Sequence, residues 1–151
     1  MFQNDLIEGE KTENKVLDLI KTGDNPLFGE PYPNAYKIDG YFKDYDLFIP
    51  EINVRIEVKQ DKKSKHTGNY VIEVEYGGNE SALTTTKADY WVFWDGECYI
   101  WTTPWRIKES VKGLPLREFK ARGDDKFKKA YLCPTGRIKN SAEYVIYEIH
   151  G

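Results

Sequence analysis

The stretch YDLFIPEINVRIEVKQ, residues 45–60, reads as two β-strands folded back on one another. Tyr45 to Pro50 and Val54 to Gln60 are rich in aromatic and β-branched residues, which suit a pleated, half-buried surface. A turn placed symmetrically on Glu51 and Ile52 pairs Pro50 with Asn53, and by the same register Asp46 with Glu57. Along the second strand the side-chain period of two puts Arg55, Glu57 and Lys59 on one face and Ile56 and Val58 on the other. An E-x-K triplet alone means little in a chain that is 31% charged. The facing aspartate changes that, because two carboxylates about 5 Å apart across a strand pair repel unless something positive lies between them.

A divalent cation is the expected partner. Oxygen donors suit Mg²⁺ or Mn²⁺, and Mg²⁺ commonly takes one or two protein carboxylates while leaving its other positions to water and substrate phosphate oxygens. Lys59, two residues beyond Glu57 on the same face, reaches an attacking water or a scissile phosphate beside such an ion. The chemistry expected of the trio is metal-assisted phosphodiester hydrolysis without a covalent enzyme intermediate.

Working outward, Val16, Leu17, Leu19 and Ile20 among polar residues predict an amphipathic helix from Glu10 to Ile20, stopped by Gly23. Asp24 to Asn34 carries Pro26, Pro31, Pro33 and Gly29 and is expected to be a loop. Tyr36 to Phe42 predicts a strand ahead of the central pair, Asp61 to Asn69 a basic loop, and Tyr70 to Tyr76 the next strand. Ser81 to Lys87 is read as a short helix or turn. Asp89 to Trp94 and Cys98 to Thr102, joined by Asp95-Gly96, predict a hairpin. Thr103-Pro104 caps a helix to about Val111. The basic segment Phe119 to Asn140 shows strand character only at Ala130 to Leu132, and Tyr144 to Ile149 predicts a closing strand. The whole is one mixed α/β (α+β) domain.

The 151 residues, 40% hydrophobic, are enough for one buried core. Net charge of -3 argues against coating nucleic acid by bulk electrostatics, so any such contact must be local. The opening MFQNDLIEGEKTEN lacks the basic-then-apolar order of a secretory leader, and a cytoplasmic location with no membrane span is expected. Cys98 and Cys133 have no metal-ligand spacing and are read as reduced thiols.

YDLFIP with Asp46, followed after ten intervening residues by RIEVKQD with Glu57, Val58 and Lys59, resembles the PD-(D/E)XK nuclease superfamily. That resemblance implies a restriction-endonuclease-like core, a central mixed sheet flanked by helices in the order αβββαβ, here with a β-rich C-terminal extension. It also implies that Asp46, Glu57 and the backbone carbonyl of Val58 hold Mg²⁺ or Mn²⁺ while Lys59 assists the water. Holliday-junction resolvases and related phage enzymes add a glutamate from the first helix. Glu13, in GEKTENKVLDLI, fits that position best, with Glu10 and Glu8 as competitors. TGNYVIEVEY and SALTTTKADYWVFW are similar to segments of small phage-type members. One departure is Tyr45, where the family name has a proline.

The expected activity is therefore a Mg²⁺-dependent DNA endonuclease, selective for branched DNA if the resolvase likeness holds; junction resolution calls for two active sites and so for a homodimer. Lys62, Lys63, Lys65 and His66 follow the second strand, where they can grip phosphates flanking the cut. Glu73 and Glu75 are candidates to extend the acidic site. The cluster from Lys120 to Lys129 with Arg137 and Lys139 is a weaker nucleic-acid candidate. Most of the four tryptophans are expected in the core rather than under bases. His66 and His150 receive no catalytic part. The competing reading is a nuclease fold without activity that only holds nucleic acid or a protein. An acid/base glycosidase pairing Asp46 with Glu57 leaves Lys59 without a role.

Overall fold

Two strands whose every side chain is apolar or aromatic must be covered on both faces, and β6 (Tyr90–Trp94) and β7 (Cys98–Thr102) come close to that limit. The computed structural model describes residues 2–27, 29–40, 43–120, 123 and 125–148, with backbone alone for residues 2–6. In it, Val92, Trp94, Tyr99 and Trp101 face one core, shared with Val16 and Ile20 of helix α1 (Phe2–Thr22). Trp91, Phe93, Cys98 and Ile100 face a second core, shared with Tyr70, Ile72 and Cys133 and with Ile107 and Ile138 of two short helices. The result is three layers: α1, a mixed sheet, and a second sheet with helices α3 (Pro104–Ser110) and α4 (Thr135–Ser141).

The mixed sheet has the order β1-β2-β3-β6-β7-β10, from β1 (Tyr36–Lys37), β2 (Leu47–Ile49) and β3 (Val54–Gln60) to β10 (Tyr144–Tyr147). Only β3 and β6 are parallel; the other pairs are antiparallel. The second sheet, β5-β4-β9-β8, is antiparallel throughout and comprises β4 (Asn69–Tyr76), β5 (Asn79–Glu80), β8 (Arg117–Phe119) and β9 (Lys128–Pro134).

Several expectations need correction. The first helix starts at Phe2, well before Glu10; Asn4, Asp5 and Gly9 are poor helix formers and mask the extension in the sequence, and Ile7 stays exposed. Its end is as expected, with Gly23 left-handed at φ 91°. The strand expected from Tyr36 to Phe42 lasts only to Lys37; Gly40, at φ 108°, interrupts the extended backbone, and Tyr41 and Phe42 lie outside the described residues. The basic loop contains a single helical turn, α2 (Ser64–Thr67). The segment Phe119 to Asn140 is far more regular than expected. β9 is held from both sides by β4 and β8, and α4 buries only Ile138, too little to leave a period in the sequence.

Where an αβββαβ order places a helix between β3 and β6, the chain instead runs through α2, β4, β5 and a 3₁₀ turn at Ala82–Thr84. β4 therefore belongs to the second sheet. The Asp95-Gly96 hairpin forms as read, and both cysteines are buried and free. Ile149 and His150 fall outside the described residues. Among those described, no helix is long and apolar enough to cross a membrane.

Candidate functional site: an acid pair at the open end of the β2–β3 ribbon

The β2–β3 hairpin has the register Leu47↔Ile56, Phe48↔Arg55 and Ile49↔Val54, with Asn53 at φ 53° completing the turn. One further step sets Asp46 opposite Glu57. The backbone continues that far, since the Asp46 N–H donates to the Ile56 carbonyl at 2.9 Å. Beyond it β2 has ended, and the Asp46 side chain takes over: Oδ2 accepts the Val58 N–H at 2.8 Å. A strand residue points its N–H and C=O to the same side. The Val58 carbonyl therefore also faces the Asp46 edge, as a third oxygen beside the two carboxyls.

Asp46 is buried and Glu57 half-buried, and their carboxyl groups are hydrogen-bonded to each other. Burial, followed by the adjoining Asp46, pushes the Glu57 carboxyl up to about 9, against a smaller opposing pull from Lys59. Burial alone would also push Asp46 up. Hydrogen bonds from Glu57, the Val58 N–H and Lys43 outweigh it and hold Asp46 below its ordinary range. The pair therefore retains a proton between its two carboxyls at a pH where an exposed pair would have lost it. Two carboxyls this close share one positive particle, here a proton.

Glu57 and Lys59 lie in register with Trp91 and Phe93 of β6, on the face of the second core. The Lys59 ammonium stands 5.3 Å from the centre of the Trp91 ring. That ring is itself fixed, its Nε1 donating to Thr86 Oγ1 at 3.0 Å. Neither Trp91 nor Thr86 stands out for this role in the sequence, where a tryptophan in an apolar strand reads as core.

From the opposite layer, α1 brings Glu13. The Lys43 ammonium bridges Glu13 Oε1 at 2.9 Å and Asp46 Oδ1 at 3.0 Å. Burial raises the Glu13 carboxyl, with Lys43 pulling the other way. Of the competitors, Glu8 turns instead to Lys62 and Lys11, and Glu10 is exposed. Among the three candidates Glu13 is the one joined to the acid pair, and it is joined through a lysine that sequence reasoning missed. Lys43 sits in a loop, where no periodicity marks it. A neighbouring contact between Thr12 Oγ1 and Gln60 Oε1 ties α1 to the end of β3.

The basic residues after β3 do not converge on Asp46. Lys62 pairs with Glu8 at 3.2 Å and Lys65 with Glu97 at 3.4 Å, and Lys63 is exposed. Lys62, Lys65 and His66 instead line a cleft of about 440 Å³ with Lys11, Lys15 and Trp94. Thr12, beside Glu13 in sequence, also lines it. Glu73 and Glu75 do not extend the acidic site: a β-bulge separates them, and they meet Lys128 and Lys129 of β9. Arg137 donates to the Ser110 and Lys112 carbonyls, and Lys139 pairs with Asp95, so both serve the fold. Three tryptophans are core residues as expected, but Trp105 is 68% exposed.

Among the described residues no group of three or more His, Cys, Asp or Glu side chains is arranged to hold a metal ion. The donor set at Asp46 is two carboxyls and a carbonyl. No protein-family model, curated protein or solved structure matches the chain.

Proposed function

We propose that the protein is a metal-dependent DNA endonuclease built on a restriction-endonuclease-like core. The observation that carries this reading is the Asp46–Glu57 hydrogen bond across the hairpin, with Lys59 next along the same strand face. A proton held between two carboxyls marks a place where a cation is wanted, and Mg²⁺ needs no more than two protein carboxylates. The donor set fits: Asp46, Glu57 and the Val58 carbonyl would hold Mg²⁺ or Mn²⁺, and Glu13 would support Asp46 through Lys43. The order α1, then β1-β2-β3, then β6 parallel to β3, also agrees with such a core, although the crossover between β3 and β6 is of a different kind.

The bound ion would acidify water and polarise the phosphorus–oxygen bonds. The remaining work falls to the chain. Asp46 is fixed by the Val58 N–H and Lys43, so it does not reorient as the substrate arrives. Lys59, leaning on Trp91, is placed to hold the attacking water and offset charge developing on the phosphate. The water oxygen bonds to phosphorus, the bond to the departing strand end breaks, and a water proton leaves to solvent or to that end. The Lys62–His66 segment would contact backbone phosphates away from the cut. Branched DNA and a homodimer are the form of this proposal that the resolvase resemblance favours.

The test is incubation with supercoiled, linear, single-stranded and four-way-junction DNA in Mg²⁺, Mn²⁺ or EDTA. Cleavage that needs the ion and is abolished by Asp46→Ala and Lys59→Ala supports the enzyme. Binding without cleavage in every condition supports the inactive-module reading instead.

A further inference from the structure

At the open end of the ribbon Asp46 faces Glu57 on one side and, through the Lys43 ammonium, Glu13 of α1 on the other. Lys43 Nζ lies 2.9 Å from Glu13 and 3.0 Å from Asp46, with the Lys43, Glu13 and Asp46 side chains only 23%, 13% and 9% exposed. Glu13 comes from α1 and Asp46 from the start of β2. Without the ammonium, two elements would press like charges together in a semi-buried space, which is costly.

We propose that Lys43 is a resident cation: it fills the position between Glu13 and Asp46, so the chain takes a single divalent ion, at Asp46 and Glu57. This rests on the reading above. Without Lys43, the three carboxyls offer two seats that share Asp46, one toward Glu57 and one toward Glu13. A carboxylate has about four lone-pair sites, so Asp46 can serve both sides at once. Its Oδ2 is committed to the Val58 N–H and its Oδ1 to Lys43, and it still accepts from Glu57.

Two features make Lys43 a lasting occupant. It stands three residues before Asp46 in the same segment, so it is tethered to its partner rather than drawn from solution. An ammonium also accepts imperfect geometry, whereas Mg²⁺ demands near-octahedral oxygens at about 2.0–2.1 Å and gives up water reluctantly. Lys43 is a positioning residue here: it holds Asp46 and Glu13 and supplies one positive charge at every metal concentration.

The experiment is a count of bound Mn²⁺ per chain by calorimetry, with free Mn²⁺ followed by its paramagnetic resonance signal. Wild type is expected to bind one ion and Lys43→Arg one. Lys43→Met should bind two, and Lys43→Met with Glu13→Gln should return to one. Two ions in wild type, or one in a folded Lys43→Met, overturns the inference while leaving the proposed function standing. If Lys43→Met does not fold, Lys43→Gln is counted in its place: two ions are expected, and one ion overturns the inference. Failure of wild type to bind any Mn²⁺ at millimolar concentration overturns the proposed function and this inference together.

Discussion

The carboxyls of Asp46 and Glu57 share a hydrogen bond across the β2–β3 hairpin, and burial of the pair favours keeping a proton between them. The unfolded chain cannot keep that proton at neutral pH. Its glutamate ionises near 4.5, whereas the folded one ionises at about 9.

The native state therefore binds more protons than the unfolded state across that interval, and its stability falls as pH rises through it. Glu57→Gln keeps the hydrogen-bond donor but cannot ionise. In metal-free buffer its melting temperature is expected to gain on wild type steadily from pH 5 toward pH 9, each 1 kcal/mol appearing as roughly 2–4 °C. Thermal melts of both proteins across this range check it; parallel curves would mean that Glu57 carries no displaced proton.

Lys59 touches the Trp91 ring but forms no part of either core. Lys59→Met is expected to lose cleavage by about 10²–10⁴-fold while still binding Mn²⁺. Its stability should change by no more than the roughly 0.5–2 kcal/mol of a half-buried cation–π contact. Single-turnover cleavage and thermal melting separate the two effects, and a variant that cuts normally removes Lys59 from the chemistry.

Lys62, Lys63 and Lys65 are expected to act on affinity rather than on the chemical step. Replacing all three by alanine should flatten the dependence of DNA binding on salt, by about 0.9 in the log–log slope for each phosphate that these lysines neutralise in the native protein. The melting temperature should barely move, because exposed ion pairs such as Lys62–Glu8 contribute little. Filter binding at several salt concentrations gives the slope; an unchanged slope places the DNA elsewhere.

Just past the end of β6, the Tyr70 hydroxyl donates to Asp95 Oδ2 at 3.0 Å, both residues being buried. Tyr70→Phe leaves Asp95 with its bonds from the Glu97 and Cys98 amides but one donor short. Destabilisation by about 1–3 kcal/mol is expected, read from denaturant unfolding, with no change in metal binding. A neutral outcome would mean that β4 does not pack on the β6–β7 hairpin as described.

The 45–60 stretch is legible because everything it needs is local. Alternation assigns the faces, and a symmetric turn assigns the register, so Asp46 can be set against Glu57 from the residues alone. Partner choice beyond the hairpin is not legible. Nothing in NYVIEVEY says that β4 leaves the first sheet to pair with β9, since a strand pattern encodes which side is buried but not which strand lies alongside. Lys43 is hidden for a related reason: its partners are Glu13, thirty residues away on a helix, and Asp46, reached from a loop without a period. The lysines after β3 stand out as a group, yet their pairing with Glu8 and Glu97 depends on where α1 and the Asp95-Gly96 turn come to rest.

The most direct measurement is proton release on metal binding, obtained by titrating Mn²⁺ calorimetrically into the protein at neutral pH in buffers of low and high ionisation enthalpy. If the ion replaces the hydrogen between Asp46 and Glu57, wild type releases about one proton per ion bound, and Asp46→Asn binds none. Binding that releases no proton, or that survives Asp46→Asn, would contradict the assignment of the cation to this acid pair.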